Sequence, residues 1–401
     1  MFRVSAFSFL SKIGGLTAVA AAATLVACGG SGSSASADGT LKLAMTDSPG
    51  CGYDHVYVTV NKIRIHPSAS ATDSDSGWRE ITVTPAQRVD LLSLTNGALQ
   101  ELGQLPLPAG RYEQVRLVLD SAPLANALVL SGTTNEIALS TPSGQQSGYK
   151  LQAHFDVTGN QVADMVLDFD ACKSIVRAGN SGRYNLKPVV AVTERLTTQI
   201  EGYVDPAIAA SVVVSTRDPA NQLRATVPDS MTGKFVIAYL PESPNYTVTI
   251  SGSGRTTATV TGVPVSPSIG ITRLNTASAA IAPASSPTAQ VSGTVSDGST
   301  GLTDASVQAQ QSLSTLQTLD IAWTSVDPSN AQYTLSLPLA APIKASYAGN
   351  GGPLSFSTDS VTGGVYKLYG SASGYTTQST DPSVTLGVAD SMTTKNLVLA
   401  P

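Results

Sequence analysis

Charged and aromatic residues are scarce in this sequence. Asp, Glu, Lys and Arg make up only 13% of the 401 residues, and Phe, Trp and Tyr only 5%. Long amphipathic helices need charged faces, so the shortage of charge argues against them. Strands joined by small polar turns produce a chain rich in Ser, Thr, Ala, Gly and Val. The net charge of −5, without clusters of Lys and Arg, argues against a nucleic-acid partner.

The sequence offers little material for catalysis. Its three histidines, His55, His66 and His154, share no metal-ligand spacing. There is no Gly-x-Ser-x-Gly segment, so a serine nucleophile and its base would have to meet from distant parts of the chain. We therefore predict a protein without catalytic residues and without a cofactor. Convergence of His55 or His154 with Asp residues in a deep pocket would favour the alternative, an enzyme.

Asp73 and Asp75 are the candidates for a metal site. They lie in one loop with Gly77, and calcium sites are built from carboxylates around such a turn. A calcium loop of this type closes with a Glu at its twelfth position, where this chain has Thr84. The sequence therefore favours a solvated turn and no metal.

The one long apolar run lies at the amino terminus. Residues 13–27 are too few for a membrane span, and they follow a basic start, as in secretory signals. The segment Leu25-Val26-Ala27-Cys28-Gly29 resembles the lipobox of bacterial lipoproteins. The resemblance implies a signal peptide over 1–27 and a lipid on Cys28, including a palmitate-type acyl chain, that anchors the protein to a membrane of the cell envelope. In a cell with two membranes, Gly29, where Asp would favour inner-membrane retention, implies by the same resemblance an anchor in the outer membrane, and the leaflet stays open.

Two cysteines remain once Cys28 is assigned to lipid. An even pair in an oxidising compartment predicts a disulfide between Cys51 and Cys172. It would close a long loop and contribute roughly 4–5 kcal/mol in the chain-entropy model. The alternative is two separate buried thiols.

Alternating apolar residues predict about nine short strands over 40–196, behind a flexible Ser/Gly/Ala-rich tether at 28–39. Val56, Val58 and Val60 lie on one strand face, but Ile63 and Ile65 have the opposite parity, which predicts a β-bulge near Asn61-Lys62. The ambiguous stretch 90–102 is predicted to be a strand followed by a turn. The pattern favours an antiparallel sandwich or barrel.

Five segments of this region resemble a family of bacterial lipoproteins with domain of unknown function 4382. They are Thr46-Asp47-Ser48-Pro49, Val89-Asp90-Leu91-Leu92, Pro108-Ala109-Gly110-Arg111-Tyr112, Leu167-Asp168-Phe169-Asp170 and Tyr184-Asn185-Leu186-Lys187-Pro188. The resemblance implies no catalytic residues. Asp168 and Asp170 share a strand face, and like charges so placed need a cation between them. We expect Arg116 or Lys187 across the sheet, and calcium is the alternative.

Two further modules are predicted downstream. Residues 197–276 resemble carboxypeptidase regulatory-like, transthyretin-like modules, with Gly233-Lys234-Phe235 and Pro244-Asn245-Tyr246-Thr247-Val248 carrying the likeness. A Pro/Ala/Ser-rich linker follows at 277–290. Residues 291–401 repeat the first strand pattern of residues 197–276 in degenerate form, with an insertion at 340–361. The predicted fold is all-β: an antiparallel sandwich followed by two smaller transthyretin-like sandwiches.

The predicted function is a non-enzymatic binding or structural role at the envelope. The fold class implied for the two modules is shared with sugar-binding domains, so carbohydrate is the leading ligand by analogy, although Trp78 and Trp323 are the only tryptophans available for stacking. The alternatives are an envelope hydrolase with accessory modules, or an assembly factor that pairs with an envelope protein through a sheet edge.

Overall fold

The computed structural model describes residues 37–48, 53–178, 181–327, 329–359, 363–372, 374–381 and 383–401. Residues 39–194 contain twelve strands, two short helices and a 3-10 helix at Leu91–Ser93. The elements are β1 (Gly39–Ser48), β2 (Tyr53–His66), β3 (Arg79–Asp90), β4 (Gln100–Leu107), β5 (Gly110–Leu119), β6 (Ala127–Leu130), β7 (Glu136–Ser140), α1 (Pro142–Gln146), β8 (Tyr149–Val157), β9 (Val162–Asp170), α2 (Ala171–Ser174), β10 (Ile175–Ala178), β11 (Arg183–Leu186) and β12 (Val190–Glu194).

These strands make two sheets around one core. The smaller sheet has the order β12-β9-β1-β4, and the larger has the order β10-β11-β7-β6-β2-β5-β8 with β3 also paired to β2. Alternating apolar residues of both sheets, such as Leu41 and Leu43 of β1 and Val56 and Val58 of β2, are fully buried between them. The predicted all-β sandwich is confirmed. Its pairing is mixed, because β1 and β9 run parallel.

Two local predictions meet different outcomes. The bulge is confirmed, since the pairing of β2 with both β3 and β5 shifts register between Val60 and Lys62. Of the strand and turn predicted over 90–102, the turn is present at Asn96-Gly97. The strand before it is wrong, because the chain forms a 3-10 helix at Leu91–Ser93 and the Leu94 N–H donates to the Leu91 carbonyl at 2.9 Å. A three-residue spacing brings Leu91 and Leu94 to the same side of such a helix, and both are buried.

The second region, 199–281, has its own core between a three-stranded and a six-stranded sheet. Its elements are β13 (Gln199–Tyr203), α3 (Pro206–Ala209), β14 (Val213–Arg217), β15 (Leu223–Thr226), β16 (Lys234–Ala238), β17 (Ser243–Ser251), β18 (Ala258–Val265), β19 (Ile271–Arg273) and a 3-10 helix at Ala277–Ala279. The sheets have the orders β16-β13-β19 and β15-β14-β17-β18.

The third region, 288–399, is again built of two sheets. Its strands are β20 (Thr288–Ser296), β21 (Ser306–Ser312), β22 (Thr318–Ser325), β23 (Gln332–Pro338), β24 (Ile343–Ser346), β25 (Ser357–Thr358), β26 (Val365–Ser371), β27 (Gln378–Ser379), β28 (Val384–Thr385), β29 (Met392–Thr394) and β30 (Leu397–Val398). One sheet is β23-β20-β29 with β30 on β20, and the other is β22-β21-β26-β27 with β28 on β26.

The predicted insertion at 340–361 joins the neighbouring region. Its strand β24 pairs in parallel with β18, and β25 pairs with β24, so the six-stranded sheet of the second region ends in strands from the third. Among the described residues, no helix has the length and apolar character that a membrane crossing requires.

Candidate functional site

A cleft of about 690 Å³ lies where the three regions meet. The first region contributes α2 and the loop after β11, the second the ends of β14 and β15, and the third one face of the β22-β21-β26 sheet. Ligand sites favour such cavities between domains. The lining residues are Lys173, Val176, Lys187, Val189, Arg217, Leu223, Thr303, Asp304, Ala305, Ser306, Gln308, Trp323, Ser325, Val326, Tyr369, Ser371 and Thr377.

The floor of the cleft is a row of three side chains across three strands. Gln308 of the central strand β21 is the register partner of Trp323 on β22 and of Tyr369 on β26. Adjacent residues on β21, Val307 and Ala309, point into the core, so the alternation of the strand turns Gln308 outward. Two strand spacings separate the aromatic residues by about 10 Å along the row. An amide therefore lies between two aromatic side chains on one open surface.

A row of three serine hydroxyls lies beside the Trp323–Gln308–Tyr369 row. Ser306 is the register partner of Ser325 and of Ser371, and the hydroxyls of Ser306 and Ser371 lie 2.9 Å apart. All three side chains are partly exposed. This row gives the cleft several groups that both donate and accept hydrogen bonds.

Asp320 fixes the wall that closes the cleft on the side of the second region. Its carboxylate accepts two hydrogen bonds from Arg217, at 2.7 and 2.8 Å, and one from the Gln310 amide at 2.8 Å. The Gln308 amide donates to the same carboxylate. A bidentate Arg–carboxylate pair is geometrically specific, so Asp320 both docks the second region on the third and orients the glutamine of the floor.

Opposite charges balance along the cleft. The Lys173 ammonium is paired with Asp170 at 2.6 Å, and Arg217 is paired with Asp320. Of the lining residues, Lys187 and Asp304 have no ion-pair partner within the described chain, and they carry opposite signs. The cleft is therefore close to neutral and rich in hydroxyl and amide groups.

The ring and the indole N–H of Trp323 are available to a ligand in the cleft. It is partly exposed, and its indole N–H makes no hydrogen bond to any described residue. The Lys173 ammonium lies 6.0 Å from its ring centre. Trp78, in contrast, packs against the guanidinium groups of Arg64 and Arg116 at 4.5 and 4.9 Å and donates its N–H to the Thr72 carbonyl. Of the two tryptophans, only Trp323 is placed to receive a ligand.

Residues 38–188 match the family model described as domain of unknown function, DUF4382. The chain contains a DUF4382 domain. This confirms the family resemblance predicted for that span, and it places the Lys173 and Lys187 side of the cleft on the DUF4382 domain. The resemblances to a lipoprotein signal and to transthyretin-like modules stay predictions.

Comparison with other proteins adds nothing about activity. No curated protein sequence matches the chain. The Bacillus anthracis TIE protein is similar over 91% of this chain and 51% of its own length, with 11% identity and a TM-score of 0.20, so the chain spans about half of that protein. A Streptococcal ancillary pilin is similar over 89% of this chain and 98% of its own length, with 10% identity and a TM-score of 0.16. TM-scores of this size carry no functional argument.

The cysteines predicted as sites fall largely outside the described residues. Cys28 and Cys51 lie in undescribed segments, and of Cys172 only the backbone, in α2, is described. The lipid on Cys28 and the Cys51–Cys172 disulfide stay predictions. Ser48 and Asp170 are register partners at the ends of β1 and β9 in the DUF4382 domain, so the segments that lead to the two cysteines leave neighbouring strands.

The candidate metal residues are held by protein groups. Asp73 pairs with Arg64 and Arg116, and Asp75 accepts hydrogen bonds from the backbone N–H and the hydroxyl of Thr72 at 2.9 and 2.8 Å. These two bonds lower the pKa of the Asp75 carboxyl. Within the described ranges, no three His, Cys, Asp or Glu side chains are grouped as metal ligands.

The histidines of the DUF4382 domain lie away from the cleft. His55 Nδ1 is 2.6 Å from Asp90 Oδ2 on an exposed surface, and neither residue lines the cleft. His66 contacts the Ser76 carbonyl and accepts from the Ser68 N–H. His154 is exposed on the polar face of β8.

The cations expected opposite Asp168 and Asp170 are present, but the predicted partners are wrong. Asp168 pairs with Arg224 of the second region at 2.7 Å, and Asp170 pairs with Lys173. Arg116 instead reaches the carbonyls of Ala71 and Ser147. The partner of Asp168 comes from the second region, and the partner of Asp170 lies three residues downstream in α2, whereas the expectation considered only cations across the sheet.

Sequence reasoning missed most of the cleft. Gln308 and Tyr369 carry no motif, and Trp323 was noted only as one of two tryptophans. The polar parity of Ser306, Gln308 and Gln310 between buried Val307 and Ala309 was a usable signal for an outward-facing strand. The strand register that aligns them with the aromatic residues could not be read from one sequence.

Proposed function

We propose that this is a non-enzymatic envelope protein that binds a carbohydrate in the cleft. The observation that carries the proposal is the Trp323–Gln308–Tyr369 row on an open sheet face. Aromatic rings offer flat apolar faces to the C–H faces of a sugar, and a glutamine between them can donate and accept hydrogen bonds with sugar hydroxyls.

The chemistry of the remaining cleft supports the same ligand class. A neutral surface of hydroxyl and amide groups matches a polar, uncharged molecule better than an anion, since the cations are largely paired with carboxylates. The volume of about 690 Å³ lies within the usual range for small-molecule sites. No described residue needs to react, so binding is the whole of the proposed activity.

The two tryptophans allow a direct test. The fragment 32–401 is screened on a glycan array, and its hits are titrated by fluorescence with two single-tryptophan variants. Trp78→Phe leaves Trp323 as the reporter, and Trp323→Phe leaves Trp78. We expect a ligand-dependent change in the first variant and none in the second.

Affinity gives the second readout. Trp323→Ala and Tyr369→Ala should each weaken binding about tenfold or more, equivalent to roughly 1.4 kcal/mol. Tyr57→Ala, at an aromatic residue outside the cleft, is the matched control and should keep the wild-type affinity. The proposal fails if no glycan binds, or if Trp323→Ala binds as tightly as the wild-type protein.

Attachment to the membrane is part of this proposal and rests on the lipobox-like segment around Cys28. The Cys28→Ser variant should carry no labelled palmitate in a bacterial host, and labelling equal to that of the unsubstituted protein would refute the anchor.

A further inference from the structure

A second cavity, of about 540 Å³, adjoins the cleft. It lies between β10 of the DUF4382 domain and strands β22 and β23 of the third region. The two cavities share Trp323, Ser325 and Val326. The residues that line the second cavity are Tyr53, Ile175, Arg177, Trp323, Thr324, Ser325, Val326, Asp327, Asn330, Gln332, Tyr333 and Thr334.

The strand β10 lies beside both cavities. Val176 lines the first cavity, whereas its neighbours Ile175 and Arg177 line the second. Successive residues of a strand point to opposite sides, so β10 presents one side to each space. Trp323, on β22, borders both. The two cavities, the first and second sections of the site, therefore lie on opposite sides of β10 and meet at Trp323.

The second section resembles the first in its chemistry. Thr334 and the amides of Asn330 and Gln332 line it, and the Gln332 side chain makes no hydrogen bond to a described residue. Tyr53 also lines it, and a tyrosine hydroxyl can both donate and accept a hydrogen bond. Arg177 and Asp327, both exposed, supply opposite charges.

From the lining residues that the two sections share at Trp323, we infer that the ligand is a chain of several sugar units, an oligosaccharide or polysaccharide that crosses Trp323 and occupies both sections. The inference rests on the proposed function and narrows its ligand class. A single sugar would occupy one section and leave the polar groups of the other solvated. A longer chain would contact Tyr369 and Gln308 in the first section and Gln332 and Arg177 in the second.

The test is a length series. Oligomers of one to eight units of the sugar found on the array, with chito-oligosaccharides as the first series, are titrated against fragment 32–401 by calorimetry. We expect the affinity to rise with length and then to level off once both sections are filled, with a total gain of at least about tenfold.

Substitutions in the second section test whether it supplies the gain in affinity of the longer oligomers. Gln332→Ala and Arg177→Ala should weaken the longest oligomer severalfold and leave the shortest binding member unchanged, whereas Tyr369→Ala should weaken every member. Gln152→Ala, at an exposed glutamine on β8, is the control and should change nothing.

The outcomes separate this inference from the proposed function. Equal affinity for the shortest and the longest member, with no effect of Gln332→Ala or Arg177→Ala, overturns the inference and leaves carbohydrate binding standing. Failure of every glycan on the array to bind overturns both.

Discussion

Asp47 is a buried carboxyl group in an unfavourable environment. It is almost fully buried, its Oδ1 accepts the Ala171 N–H at 3.0 Å, and its Oδ2 has no partner among the described residues. Burial raises the pKa of the Asp47 carboxyl well above its ordinary value, and the nearby carboxylates of Asp170, Asp168 and Asp90 raise it further, against the lowering effect of the Ala171 N–H.

This raised pKa predicts a pH-dependent stability. Between the ordinary carboxyl pKa of about 4 and the higher folded value, the folded state binds more protons at Asp47 than the unfolded chain. The contribution of Asp47 to the free energy of unfolding therefore falls as pH rises through that window. Asp47→Asn removes the penalty, so its stability relative to wild type should increase as the pH rises above about 4 and level off above the folded pKa of Asp47.

Denaturant unfolding at several pH values measures this difference. Exposed Asp38→Asn is the control and should run parallel to wild type at every pH. A difference between Asp47→Asn and wild type that is constant from pH 4 to pH 8 would contradict the assignment, whatever its absolute size.

Among individual residues, the position of the β-bulge could be predicted from the sequence, whereas the surroundings of the two tryptophans could not. Parity alone located the bulge at Lys62, because five valine and isoleucine positions must all face one core. The roles of the two tryptophans could not be predicted. Trp78 is covered by Arg64, which is close in sequence, and by Arg116, which is not, while Trp323 owes its setting to three separate regions.

At the scale of elements, the turn between the 3-10 helix and β4 docks the DUF4382 domain on the second region. Asn96 and Gly97 both have positive φ, as in type I′ turns. The Asn96 amide donates to the Val227 carbonyl at 2.9 Å, and its oxygen accepts the Val236 N–H at 3.0 Å. The Tyr239 hydroxyl donates to the Gly97 carbonyl at 2.7 Å. One turn thus satisfies backbone groups of the neighbouring region.

Asn96→Gly tests this docking element. Glycine keeps the positive φ but removes the side-chain bonds and leaves the Val236 N–H without its acceptor, so the free energy of unfolding should fall by about 1–3 kcal/mol. Asn160→Gly is the matched control, because Asn160 also has positive φ and is exposed. Its effect should stay within about 0.5 kcal/mol. Equal effects of the two variants in thermal and denaturant melts would show that Asn96 does not hold the regions together.

Element types were easier to predict than element partners. Alternation within a strand is local and was visible for β8 and β9. The parallel pairing of β1 with β9 joins segments more than a hundred residues apart, and no local pattern reports it. Likewise the insertion at 340–361 was visible as an interruption, but its strand β24 completes the sheet of another region through β18. Pairing partners are chosen by the tertiary packing.

At the scale of the whole molecule, the described residues form three hydrophobic cores. The first draws its residues from 41–192 alone and the third from 289–399 alone. The second is built from 200–281, but Ile343, Tyr347, Leu354 and Phe356 of the third region pack against it. The first core is therefore self-sufficient in its apolar contacts, whereas the second depends on residues supplied from downstream. The predicted domain boundaries stay predictions.

This asymmetry leads to a prediction about fragments. The fragment 38–198 should fold alone, because its core borrows no apolar residue and about 150 residues suffice for an independent domain. It loses the contacts of Arg224 and Tyr239, so it should melt cooperatively but below the temperature of fragment 32–401. Fragment 197–290 lacks β24, which leaves the β18 edge open, and it should be unfolded or aggregated. Neither fragment should bind a glycan, since Trp323 and Tyr369 belong to the third region. Circular dichroism melts and gel filtration decide the matter: an unfolded 38–198 beside a stable 32–401 would show that the first sandwich needs its neighbours to fold.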